Sequence, residues 1–341
     1  MAKVRTFFCL FISLSSIFEK NVSLPKKRMF RTIVPIHPNK AQIQFESKIV
    51  SFGSCFSLNM AKKLGYHKMR TVSNPFGILF HPLAIEKVIR KSVKNELFTE
   101  KDFFFHDDKW LCFDLHSELS QPTLDSAVER ANQQLIISQK ALQSSDFIFI
   151  TLGTTWVYTH ETGKVVANCH KVPQQHFSKR LLSFSEIENS LQSIFQLVNI
   201  INPKIHCICT ISPVRHLKDG FTENNISKSL LISSLHSVIK KSSHTSYFPA
   251  YEIMMDELRD YRFYADDMLH PSDVAIDYIW KRFTESYFSP DCLSILKEVD
   301  AIQKGLQHRP FNTNSKSFIS FKEQLHKKIT LLKKRFPFVE F

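Results

Sequence analysis

Glycine is scarce in this chain of 341 residues. There are seven, where an average usage of about 7% would give roughly 24. Collagenous and Gly-rich disordered classes are excluded, and neither G-x-G-x-x-G nor G-x-x-x-x-G-K-[ST] occurs, so the usual dinucleotide and P-loop signals are missing. C-x-x-C is also missing. The seven cysteines (9, 55, 112, 169, 207, 209 and 292) are odd in number and scattered, unlike a secreted disulfide framework or a structural zinc site. They fit a reducing compartment. No apolar run is long enough to span a bilayer; residues 7–18 make only twelve.

Net charge is nearly absent from the middle of the chain. The formal net charge is +13, but residues 1–28 carry +5 and residues 292–341 carry +6, which leaves +2 for residues 29–291. An electrostatic nucleic-acid footprint needs cations clustered on a folded face, so no specific nucleic-acid partner is expected. The basic tail at 292–341 is a candidate for contact with an anionic surface. With 43% hydrophobic and 23% charged residues the rest reads as an ordinary globular protein with a full core.

The stretch 7–18, after Lys3 and Arg5, has the shape of a signal-peptide core, but Glu19-Lys20-Asn21 offers no A-x-A cleavage site. Met29 follows Lys26-Lys27-Arg28 and opens MFRTIVPIHP, which reads as a protein start. Residues 1–28 are thus expected to be an extension or a weak targeting segment, with the start at Met1 or Met29 left open. The location reads as cytoplasmic, or exported if that segment acts as a signal.

From residue 48 apolar strands alternate with amphipathic helices. Strands are expected at 48–52, 146–151, 206–211 and 247–250, and a hairpin at 156–160 and 164–168 around Glu161-Thr162-Gly163. Helices are expected at 57–64 (closed by Gly65), 82–95, 124–142, 184–201, 225–241 and from Pro271 to about 288. This alternation argues a mainly parallel sheet covered on both faces, a three-layer α/β/α sandwich. Such sheets bind ligands at the carboxyl ends of their strands. Residues 292–341 read as one or two basic helices outside the core. Cys207 and Cys209 share one face of a strand and read as core packing.

Gly53, Gly77 and Gly153 fall at strand ends or in the Asn74-Pro75-Phe76-Gly77 turn, where a chain poor in glycine keeps it for backbone geometry. Gly53-Ser54-Cys55-Phe56 joins a strand to a helix. A nucleophile there meets exposed N–H groups and the helix dipole, which favour a thiolate or an oxyanion. A buried free cysteine beside an N-capping serine is the other reading. Asp267-Met268-Leu269-His270-Pro271 can place a carboxylate and an imidazole in one site, the first orienting the second as a base; a surface histidine before a helix is the alternative. Arg215 follows a strand and could hold a carboxylate or phosphate, or pair with one of the acids between 256 and 260. Glu252, Asp256 and Asp260, four apart, also describe one solvated helix face. Trp156 and Tyr158 read as packing, and Asn168-Cys169-His170-Lys171 lacks the second ligand pair that a metal site needs, so no metal and no cofactor are expected.

The blocks SFGSCFSLNMAKKLG, SNPFGILFHP, TLGTTWVY, NCHKVP, ISPVRHLKDGFTENNISKSLL and YFPAYEIMMDELRDYRFYADDMLHPS occur in this order between about residues 30 and 288. On them the chain resembles the GSCFA-domain family, which is distantly similar to the SGNH (GDSL) hydrolases. The resemblance implies a flavodoxin-like α/β/α sandwich. Laid over the SGNH blocks, Cys55 takes the nucleophile position and Ser54 stands where that superfamily has Asp. Asp267 and His270 match its D-x-x-H, and Gly77 its oxyanion glycine, with Asn74 beside it. Gly153-Thr154-Thr155 matches Gly-x-Asn with Thr155 in place of asparagine, and the loss of one oxyanion donor can cost about 10²–10³ in rate. The implied activity is an acyl hydrolase or acyltransferase on a small-molecule or carbohydrate ester or thioester, with Cys55 (or Ser54), His270 and Asp267. The alternative is a non-catalytic binding module that keeps the fold.

Overall fold

Strands β1 (Lys48–Gly53), β2 (Arg70–Ser73), β5 (Phe147–Leu152), β9 (His206–Ile211) and β10 (Thr245–Tyr247) form the central sheet of the computed structural model, which describes residues 32–341. Between them lie α1 (Cys55–Tyr66), α2 (Pro82–Lys94), α3 (Leu124–Ser144), α4 (Phe184–Ile201) and α5 (Phe221–Ile239). The short strands β3 (Phe104–His106), β4 (Lys109–Leu111), β6 (Trp156–His160), β7 (Val165–Val166) and β8 (Phe177–Leu181) lie outside that sheet. The turn α6 (Ala250–Glu252) leads to α7 (Asp273–Tyr287), α8 (Pro290–Gln307) and α9 (Lys316–Arg335).

The central order is β10-β9-β5-β1-β2, and every pair is parallel. Strands β1, β5 and β9 are buried along almost their whole length, and successive side chains alternate between two cores, as the two-residue period of a pleat requires. Val50 and Phe52, Ile148 and Ile150, and Cys207 and Cys209 face one core with α2, α3, α4 and α5. Ile49, Phe147, Phe149 and Ile208 face the other, against α1, α7 and α8. The sheet is therefore sandwiched between two helical layers, and the two cysteines pack in the first core. Residues 34–341 cluster as one unit.

The second core takes in more of the chain's end than its charge suggests. Leu296, Val299 and Ile302 of α8, Leu332 of α9, and Phe336 and Val339 beyond it are buried there with Ile43 and Phe45. Lysines crowd the outside of α9, and Leu332 is its one fully buried side chain, so composition hides the apolar seam. This tail packs into the core and not outside it.

Local departures from the sequence reading have local causes. Strand β2 is only four residues, RTVS, without an apolar run to announce it. Helix α1 runs past Gly65 to Tyr66, and Lys68 takes the left-handed turn at φ +62°. The last strand is 245–247, because Pro249 starts a helical turn in place of an extended segment. Helix α5 begins at Phe221, four residues early, because its first turns bury polar side chains in place of an apolar stripe.

Candidate functional site

Strand β1 ends in Gly53, whose φ of +149° suits glycine. A Cβ there would sit 2.3 Å from the Thr151 carbonyl oxygen on the neighbouring β5, so the two strands can close only over a bare backbone. The Gly53 N–H donates to Asn74 Oδ1 (2.9 Å), and the Asn74 Nδ2 donates to Ser57 Oγ (2.7 Å). Ser57 Oγ in turn donates to the Ser54 carbonyl (2.8 Å). Asn74 is buried and left-handed at φ +43°. Both ends of its amide are committed to holding the Gly53-Ser54 turn, so it is a positioning residue and not a substrate contact.

Ser54 and Cys55 therefore start α1 in a fixed place. Ser54 is 1% exposed, its Oγ has no hydrogen-bond partner, and it does not cap the helix. In the first turn the Ser57 N–H donates to the Ser54 carbonyl (2.9 Å), while those of Cys55 and Phe56 lack intrahelical acceptors by geometry. Cys55 is half-buried and free. Burial pushes its thiol up from the ordinary value, against a smaller opposing pull from its own backbone N–H. Of the two readings the sequence leaves open for this cysteine, the direction of the shift favours a protonated, partly buried thiol, because burial outweighs the backbone N–H.

The oxyanion residues expected from the sequence sit at the carboxyl edge, but several N–H groups there are occupied. The Gly77 N–H donates to the Asn74 carbonyl (2.8 Å) and closes the turn, so it is not offered to an oxyanion in this conformation. The Gly153 N–H donates to the Phe80 carbonyl (2.7 Å). The Thr155 N–H donates to Ser227 Oγ (2.8 Å), while Thr155 Oγ1 is buried without a partner.

Ser227 belongs to α5, whose inward polar side chains the sequence reading passed over. Asn224, Ser227 and Lys228, spaced three and one apart, are all at most 3% exposed. Asn224 Oδ1 accepts the His216 N–H (3.0 Å), and Ser227 Oγ also meets Thr154 Oγ1 (3.1 Å). Lys228 Nζ donates to the Gly153 and Ser212 carbonyls, 2.8 Å each, and so clamps the ends of β5 and β9 together. Its ammonium has no carboxylate partner among the described residues, and burial holds it down to about 7. The signal was available as three polar residues at helical spacing in FTENNISKSLL.

His270 and Asp267 meet as the spacing implies. His270 Nδ1 lies 2.6 Å from Asp267 Oδ2, and Asp267 Oδ1 accepts the N–H groups of Leu269 and His270 (2.9 Å each). Those N–H groups, His270 first, hold the carboxyl at about 2, with the imidazole adding to them. His270 Nε2 has no hydrogen-bond partner among the described residues, and neither Ser54 Oγ nor Cys55 Sγ hydrogen-bonds to it.

Arg215 follows β9, and its N–H donates to the Leu269 carbonyl (3.2 Å), beside His270. Its guanidinium lies over the Tyr264 ring at 4.9 Å. The expected ion pair with residues 256–260 does not form: Asp256 pairs with Arg259 (2.6 Å) and Asp260 with Arg262 (2.8 Å). Glu252, Asp256 and Asp260 do not share one solvated helix face either, since the helix widens into a π-turn at Ile253–Glu257 and Glu252 turns in to accept from Tyr247 Oη (2.7 Å).

A cleft of about 610 Å³ opens beside Thr154 and His216. Trp156 and Tyr158 line it with Phe80 and Phe177, so these aromatics wall a cavity as well as pack. His216 Nε2 is buried without a partner, and burial, with Lys228 and His270, keeps its ring neutral at about 3. His170 uses both ring nitrogens within the protein, on Ser117 Oγ (2.9 Å) and the Cys112 carbonyl (2.7 Å).

A parallel sheet of this order, with its polar residues gathered at the strands' carboxyl ends, defines a doubly wound α/β sandwich with an edge site. The chain belongs to the GSCFA family, which matches residues 48–283. A second pattern, the C-terminal domain of GSCFA domain proteins, matches residues 299–341. No curated protein matches the chain. Among solved structures it is similar to one described as a candidate platelet activating factor from Streptococcus pneumonia, at 12% identity and a TM-score of 0.37, covering 70% of this chain and 84% of that one. A carbohydrate esterase family 3 structure from Talaromyces cellulolyticus matches at 9% identity and a TM-score of 0.30, covering 74% and 99%. An acetyl esterase variant with acetate ion matches at 8% identity and 0.34, again covering 74% and 99%. No helix among the described residues is long and apolar enough to cross a membrane.

Proposed function

We propose that the chain transfers an acyl group from an ester or thioester, with Cys55 as nucleophile and His270 as base. The observation that carries this reading is the 2.6 Å contact of His270 Nδ1 with a carboxylate fixed by two backbone N–H groups, which leaves Nε2 free. Asp267 orients the ring and stabilises its charged form. Cys55, being partly exposed, is open to substrate where Ser54 is not.

Because burial keeps the thiol protonated, His270 takes the Sγ proton as sulfur attacks the carbonyl, and returns it to the leaving alcohol or thiol. Water or an acceptor hydroxyl then cleaves the acyl-cysteine, with His270 again as base. The free first-turn N–H groups of α1 and the Thr155 hydroxyl are the donors for the oxyanion. The small-molecule or carbohydrate class of the ester is part of the proposal.

The second reading, a ligand-binding module, is favoured by the raised thiol and by the missing hydrogen bond between His270 and either candidate nucleophile. Labelling separates the two. An iodoacetamide probe and a fluorophosphonate probe, from pH 5 to 9, should mark Cys55 in wild type and lose that mark in His270→Ala. Fluorophosphonate on Ser54 would move the nucleophile by one residue; no selective adduct on either would leave the binding module.

A further inference from the structure

We propose that Arg215 anchors an anionic group, a carboxylate or a phosphate, carried by the compound that occupies this site. The inference takes the reaction from the acyl-transfer reading, but its binding claim stands apart from it.

Both ends of Arg215 are tied to the loop that bears His270. Its N–H holds the Leu269 carbonyl at 3.2 Å. Its guanidinium rests on Tyr264 at 4.9 Å, and Tyr264 is itself buried and bridged to Pro271, next to His270. The guanidinium also donates a hydrogen bond to the Tyr264 hydroxyl, so ring and hydroxyl together orient the planar fork and leave its remaining donors for a ligand.

Those donors have no carboxylate. Asp256 and Asp260 are paired with Arg259 and Arg262, and Asp267 is committed to His270. Among the described residues Arg215 makes no ion pair. Behind it, the Ser212 carbonyl of the same loop accepts from Lys228, a second cation whose hydrogen-bond partners are carbonyls only. The carboxyl end of β9 thus holds two cations that no carboxylate of the described chain pairs with. A carboxylate or phosphate on the ligand would complete the fork with charge-assisted bonds that a neutral ligand cannot supply. The tie to Leu269 puts the anchor beside the base, so the anion lies a short reach from the reacting carbonyl. Monoesters or monothioesters of short diacids, and acyl esters of phosphorylated alcohols, have this form.

The test compares matched pairs on the full chain: 4-nitrophenyl butyrate against the 4-nitrophenyl monoester of succinate, and an acetylated alcohol against its phosphorylated counterpart. In wild type kcat/KM should favour the anionic member of at least one pair by about tenfold to a hundredfold, the range of a charged hydrogen bond. Which pair responds tells carboxylate from phosphate. Arg215→Met should erase the ratio, Arg215→Lys should keep part of it, and added salt should shrink it. Equal rates within both pairs overturn the anchor and leave the reaction standing; a ratio that survives in Arg215→Met overturns the assignment to this residue. If no ester is turned over, the acyl-transfer reading fails and binding decides: succinate and inorganic phosphate are titrated calorimetrically into wild type and Arg215→Met. Affinity lost in the variant supports the anchor, and equal or absent affinity overturns it.

Discussion

His270 Nδ1 and Asp267 Oδ2 stand 2.6 Å apart, with the second carboxylate oxygen pinned by two N–H groups of the same four-residue turn. The pair is thus preassembled by local backbone and does not depend on a distant element. Replacing His270 by Ala should lower turnover of a responsive ester by about 10²–10⁴, the range for loss of a positioned base. Asp267→Asn should retain the fold, shown by an unchanged circular dichroism spectrum, while losing most of the rate. An intact rate in either variant removes the pair from the mechanism.

The Asp267 carboxylate should leave its mark on stability only in acid. Its two backbone N–H groups, with the imidazole, hold it at about 2, below its ordinary 3.8. Its contribution to stability is therefore present above about 3.8 and lost as pH falls towards 2. The urea midpoint of wild type minus that of Asp267→Asn should be flat above about pH 5 and shrink below about 3.8. A difference that stays flat through the acid range would contradict the pairing.

Lys228 has the same slope with pH but the opposite effect, since its burial costs stability while the ammonium is charged. Burial lowers its ammonium from 10.5 to about 7, so between those limits the unfolded chain binds the extra proton. Stability from this group rises with pH from about 7 to 10.5 and is at its constant minimum below 7. The urea midpoint of wild type minus that of Lys228→Met should climb across this window. A flat difference would mean that the lysine is not buried as described.

Two glycine substitutions should move stability in opposite directions. Gly53→Ala forces a Cβ to within 2.3 Å of the Thr151 carbonyl oxygen at a left-handed φ, and should cost on the order of 3 kcal/mol or more. Gly65→Ala, inside α1 with open space around it, should gain about 0.5–1 kcal/mol. Denaturant unfolding of both checks the pair.

Removing the Asn74 amide should loosen the turn before α1. Asn74→Ala strands the Gly53 N–H and Ser57 Oγ and puts alanine at φ +43°, a loss of about 2–3 kcal/mol. Cys55 alkylation should also become less selective. Unchanged stability would mean that Asn74 is not the strut described.

Where the sequence was legible, short-range pattern decided the outcome. Apolar runs such as FIFITL and HCICTI, capped helices and the D-x-x-H spacing are local, and each formed as expected. What stayed hidden depends on partners far along the chain. The four-residue β2 is a strand because β1 pairs with it, and although the Asn74–Gly77 turn is visible in the sequence, the use of the Gly77 N–H to close it is not. Lys228 reads as a surface charge until strands β5 and β9 present their carbonyls to it. Thiol acidity was left open for a similar reason: the helix start is visible in GSCF, but the burial around Cys55 is not.

The second core also sets an order of events in synthesis. Phe45 meets Phe336 with ring centroids 4.7 Å apart, across about 290 residues of chain. Contacts of such separation carry a large loop-closure entropy and form late, and this layer cannot close until residues 336–339 have been made. Until then Ile43 and Phe45 lack their cover, and apolar surface left open in this way is prone to aggregate.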